Sequence, residues 1–186
     1  MSHGQNRVCP VEHAGFLDNR LRRWMQNPQK ILGPYLKPGM IVLDFGCGPG
    51  FFSLEIARLV GKSGRVIAAD LQEGMLQKVS AKIRGTELES RITLHQSQTD
   101  KIGLSEFVDF VLAFYMVHEV PSKENFFTEI RAILKPAGQI LIVEPTFHVS
   151  KQSFEATIGI AQRIGFTPVG RPKILFSKTA LLQMNP

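Results

Sequence analysis

Residues 42–50 read VLDFGCGPG, and they combine an acid with three alternate glycines directly after an apolar run. Asp44 precedes Gly46, Gly48 and Gly50, with Cys47 between the first two. Glycines in a strand-to-helix turn let bare backbone approach a ligand closely. A dinucleotide pyrophosphate is held by G-x-G-x-x-G, but here the position of the third glycine, one residue later, is Phe51. Asp44 also places negative charge where a diphosphate needs positive potential, so the loop suits a ligand bearing an ammonium or a sulfonium group. Asp70 closes the next apolar run, RVIAAD, and its two acceptor oxygens can take paired ribose hydroxyls. S-adenosylmethionine carries the ammonium, the sulfonium and the ribose, and no phosphate.

Such a loop needs elements to hold it. MIVLDF, RVIAAD, RITLHQ, VDFVLAFY and QILIVE are five short runs rich in Val, Ile, Leu and Phe, and several are apolar on both faces, as in a parallel sheet covered by helices on both sides. Between them lie helical patterns. Residues 52–60 predict a helix with Gly61 as a left-handed cap; Met75, Leu76, Val79 and Ile83 mark a second, and Phe126, Phe127, Ile130, Ile133 and Leu134 a third, closed by a turn at Lys135-Pro136-Ala137-Gly138. A helix over 153–164 stops at Gly165, and two short strands, 167–170 and 174–177, pair antiparallel across Gly170-Arg171-Pro172-Lys173. Leu17, Leu21, Trp24 and Met25 share one face of an N-terminal helix, and Asn27-Pro28 start a further short one. The expected fold is α/β: a Rossmann-like, doubly wound sheet of about seven strands, mostly parallel with an antiparallel closing strand and helices on both faces. Its 186 residues are expected to form one domain, a helical arm or lid over 1–39 and an α/β core over 40–186.

The chain resembles the class I S-adenosylmethionine-dependent methyltransferases, and within them the small-molecule branch that includes the ubiquinone/menaquinone C-methyltransferases. VLDFGCGPG, VIAAD, DFVLAFYMVHEV and EIRAILKPAGQILIVEP carry the resemblance, in order and at family spacing, from about Met40 to Glu144. It implies S-adenosylmethionine as cofactor, with S-adenosylhomocysteine as product, and in-line methyl transfer to a small organic acceptor. Asp44 and the backbone around Gly46 and Gly48 would hold the methionine end, and Cys47 and Gly50 of the same loop would also border the cofactor, Cys47 as a small filler rather than a nucleophile. Asp70 would hold the ribose, and Leu71 and Met75 the adenine. Gln96-Ser97, followed by Gln98, stands where the family usually has Gly-Asp, so Ser97 replaces an acid near the adenine amino group. Phe114 and Tyr115 would border the methionine and the acceptor. A base is needed only for an acceptor that must lose a proton, and His118, after the fourth strand, is the candidate, a structural hydrogen bond being its other role. Glu119 is expected to face solvent or the arm, and Glu144 to end a strand on the cofactor edge.

Other readings stay open. Cys9 and His13, with His3 or His148, have a possible metal-ligand spacing, weakened by Pro10, and no metal is expected. An RNA or protein methyltransferase would use the basic ends: six Lys/Arg against two Asp/Glu over residues 1–40 and five against one over 145–186, with eleven against thirteen between. Against nucleic acid, AFYM replaces the N/D-P-P-Y/F-type tetrad, and aromatic residues do not interleave a basic run. A catalytically inactive cofactor-binding partner subunit is a third reading, and a NAD-dependent dehydrogenase a fourth. With 44% hydrophobic and 20% charged residues the composition excludes a disordered chain. The sequence has neither an apolar run of spanning length nor a secretory leader, and with two cysteines no disulfide framework, so a cytoplasmic protein is expected.

Overall fold

A computed structural model describes residues 26–185. The expected helix through Leu17 and Trp24 and the Cys9/His13 pair lie outside the described residues. Asn27 caps the first helix, α1 (Pro28–Leu32), its Oδ1 accepting the Lys30 N–H at 3.2 Å. β1 (Ile41–Phe45), α2 (Ser53–Val60), β2 (Arg65–Asp70), α3 (Glu73–Ile83), β3 (Ile92–Gln96) and β4 (Val108–Phe114) follow, with a 3-10 turn, Glu89–Arg91, before β3. The chain then forms α4 (Lys123–Ile133), β5 (Leu134–Pro145), α5 (Lys151–Ile164), β6 (Phe166–Gly170) and β7 (Ser177–Met184).

The sheet order is β3-β2-β1-β4-β5-β7-β6, parallel except for β7, which runs antiparallel to both neighbours. Strand residues are apolar on both faces because both faces are covered. On one, Leu43, Ile67, Val111 and Ile140 pack against Phe127 and Ile130 of α4 and Phe154 and Ile158 of α5. On the other, Val42, Val66, Phe110 and Leu141 meet Leu32, Ile56, Val60, Leu76 and Val79 from α1, α2 and α3. Each such buried side chain contributes about 1.5–3 kcal/mol relative to exposure. The order reverses at β1 and β4, so the loops after their carboxyl ends diverge and leave a crevice.

Three local expectations are corrected. Gly61 has φ 69° but ψ −166°, outside the left-handed helical well, because the Val60 carbonyl accepts its hydrogen bond from the distant Gly39 N–H at 2.9 Å instead of from a local cap. Lys135–Gly138 is no turn: β5 starts directly after α4 and absorbs these residues as an irregularity in register between Val108 and Phe110, with Ala137 at φ 61°. Asp109 fastens this corner, accepting from Lys135 Nζ and from the Ile41 N–H, both at 2.8 Å. The last strand is Ser177–Met184 rather than 174–177, since pairing with β5 and β6 on its two sides extends it to Met184.

Candidate functional site

The ends of β1, β2, β3 and β4 border a cavity of about 200 Å³. Asp44, Gly46, Cys47, Gly48, Asp70, Leu71, Met75, Ser97, Gln98 and Phe114 all line it, and so does Tyr115. Gly50 does not. Its role is packing: at φ 84°, a Cβ there would sit 2.9 Å from Leu54 Cδ1 and 3.0 Å from Val79 Cγ2, so glycine lets α2 and α3 close on the loop.

The loop's amides are committed to the protein. The N–H groups of Gly46 and Cys47 donate to the Ala69 carbonyl at 2.9 and 3.0 Å, that of Gly48 to Asp70 Oδ2 at 2.9 Å, and that of Gly50 to the Cys47 carbonyl at 3.1 Å. A phosphate site requires these donors to point at the ligand. Here they are consumed and two buried carboxylates flank the cavity. Asp44, 2% exposed, accepts from Ser53 Oγ at 2.5 Å. Asp70 Oδ1 accepts the Gln72 N–H at 2.9 Å, leaving each carboxylate oxygen further acceptor capacity. Burial raises the Asp70 pKa, against the lowering effect of its backbone donors. Burial also pushes the Cys47 thiol well up, helped by the negative charges of Asp44 and Asp70, so it stays a neutral filler. The site accepts cations and hydroxyls and repels anions.

An aromatic wall faces the carboxylates. Phe52 and Phe114 lie 4.4 Å apart between ring centroids, and Phe114 and Tyr115 4.5 Å. Tyr115 holds a left-handed backbone, φ 60°, and its hydroxyl is tied to Ser177 Oγ at 2.7 Å and to Gln26 Nε2 at 2.8 Å.

His118 does not line the cavity. Glu144, 2% exposed, fixes it twice: Oε1 accepts the His118 N–H at 3.0 Å and Oε2 meets Nδ1 at 2.5 Å. The ring also stacks on His148, with centroids 6.2 Å apart and planes 6° from parallel. Its pKa is raised, first by the hydrogen bond to Glu144. Glu144 thus anchors the turn after β4.

Glu119, expected to face solvent or the arm, turns into the cavity. Its side chain is 25% exposed, and burial, aided by the charges of Glu144 and Asp70 and opposed by His118, raises its pKa from 4.5 to about 7. The two neighbouring side chains stay close, Glu119 Oε1 lying 3.9 Å from His118 Nε2, yet only Glu119 borders the cavity while His118 is held by Glu144, and VHEV has no periodicity from which to read which one faces inward. Among the described residues no cluster of His, Cys, Asp and Glu could hold a metal ion, and no helix is long and apolar enough to cross a membrane.

A doubly wound sheet with an acidic, phosphate-excluding glycine loop at its switch point defines a Rossmann-like methyltransferase fold. The chain belongs to the methyltransferase-domain family, whose profile matches residues 36–165. It is 33% identical over 125 residues to a demethylmenaquinone methyltransferase of Lactobacillus johnsonii, covering 65% of this chain and 51% of that protein. It is 27% identical over 135 residues to a ubiquinone/menaquinone biosynthesis C-methyltransferase of Erwinia tasmaniensis, covering 70% and 54%. The chain therefore spans about half the length of these relatives. The crystal structure of a SAM-dependent methyltransferase from Aquifex aeolicus superposes with a TM-score of 0.84 at 24% identity, over 96% of this chain and 100% of that one, a likeness of fold.

Proposed function

We propose that this chain binds S-adenosylmethionine in the cavity and transfers its methyl group to a small organic acceptor. The observation that carries the reading is the loop itself: its amides are spent on the protein while Asp44 and Asp70 face the cavity, a polarity suited to a cationic nucleoside without phosphate. Asp70 takes the ribose hydroxyls, Asp44 and the backbone at Gly46 and Gly48 border the methionine end, and Leu71 and Met75 flank the adenine beside Ser97 and Gln98. The cofactor supplies an electrophilic methyl with its own leaving group. The protein's part is to orient the acceptor against Phe114 and Tyr115 and exclude water. The curated relatives are named for quinone methylation, which makes hydroquinones the first acceptors to try.

Calorimetric titration with S-adenosylhomocysteine tests the reading. Wild type is expected to bind in the micromolar range and Asp70→Ala at least tenfold more weakly, with Asp70→Asn intermediate because one acceptor oxygen remains. No binding by wild type would sink the proposal.

A further inference from the structure

Beyond the cavity, the turn after β5 and the connection from β6 to β7 lie side by side, joined by the Thr146 N–H and Oγ1, which both donate to the Phe176 carbonyl at 3.0 Å. They present Phe147, Leu175 and Phe176, which are 72%, 51% and 60% exposed. Phe176 also holds φ 56°. Stability alone would place glycine or asparagine at a left-handed, exposed position, so an aromatic residue there is disfavoured twice over. Beside these side chains runs a groove of about 380 Å³ that includes Lys151, Arg171, Lys173 and Lys178. Its one acid, Glu155, is taken up by Arg171 through bonds of 3.0 and 2.8 Å. The patch adjoins the cavity, since Ser177, next after Phe176, bonds the Tyr115 hydroxyl.

We propose that this face docks on an anionic membrane surface, with Phe147, Leu175 and Phe176 entering the headgroup boundary and Lys151, Lys173 and Lys178 meeting lipid phosphates. Protruding apolar side chains beside a groove whose lysines form no ion pair among the described residues match the two attractions available at such a surface, apolar burial and negative potential. A second copy of the chain is a poorer occupant: a two-fold interface would lay a basic groove against its own like charge. The inference stands apart from the cofactor reading.

Flotation of the full chain with phosphatidylglycerol/phosphatidylcholine vesicles, against phosphatidylcholine alone, tests it. Binding is expected only to the anionic vesicles and should fall about tenfold in Phe147→Ser/Phe176→Asn and again in Lys151→Glu/Lys173→Glu. Melting temperatures should hold, or rise with Phe176→Asn, which relieves the backbone. Failure to float, equal binding to both lipids, or indifference to both variant pairs overturns the proposal. So does a dimer in sedimentation that Phe147→Ser/Phe176→Asn disperses, or a homopolymer RNA that outcompetes the vesicles. Both variants leave the cavity intact, so S-adenosylhomocysteine titration reports on the cofactor reading separately.

Discussion

Glu119 is the residue whose chemistry depends most on its surroundings. Because its pKa rises from 4.5 to about 7 on folding, the native state holds a proton that the unfolded chain has lost between those values, and stability falls as pH rises through that window. His118 tilts the same way: its raised pKa gives a stabilisation complete below 6.5 and lost as pH rises through the folded value. Glu119→Gln should therefore stabilise the protein at about pH 8 and leave it unchanged near pH 5, by about 1–2 kcal/mol given the partial solvent access of the side chain. Thermal melts at the two pH values check this, and His118→Asn should flatten the remaining slope. If the cavity takes S-adenosylmethionine, the ionised Glu119 favours the sulfonium over the neutral thioether. The affinity ratio of cofactor to product should then increase through neutrality in the wild type and stay level in Glu119→Gln.

At the scale of elements, the glycine loop separates packing from ligand contact. Gly50→Ala should cost roughly 2–4 kcal/mol, since the new methyl meets Leu54 and Val79 and the backbone is left-handed. Gly48→Ala finds open space and should cost only roughly 1–2 kcal/mol in stability, yet it sits on the cavity and should weaken S-adenosylhomocysteine binding more. Denaturant titration and calorimetry on both variants distinguish the two roles. The parallel strands were legible because they are covered twice, so that VIAA and VLAF are apolar without interruption. β7 was not: Lys178, Gln183 and Met184 blur its pattern, and only its position between β5 and β6 makes a strand of it. The Lys135–Gly138 corner misled because proline and glycine mark irregular backbone, whether turn or bulge. Of the site, Asp44 and Asp70 could be read from strand ends, whereas Glu119 depends on the twist of a single turn.

At the scale of the molecule, the described residues divide charge between an acidic cleft and a basic groove beside the β6–β7 connection. Salt screens exposed charge far more than buried charge. Raising salt from about 0.1 to about 0.5 M should change S-adenosylhomocysteine affinity by less than about twofold while releasing the protein from anionic vesicles. Parallel calorimetry and flotation at the two salt concentrations measure both. Hydrogen bonds tie Gly46, Cys47, Gly48 and Gly50 to Ala69, Asp70 and Cys47. A loop already anchored through every N–H it has between Gly46 and Gly50 has little freedom left to surrender when a guest arrives, so none of the guest's affinity is spent on ordering it. Its amides should exchange with deuterium as slowly in the empty protein as in the filled one, whereas the β6–β7 connection should exchange freely until it meets a surface.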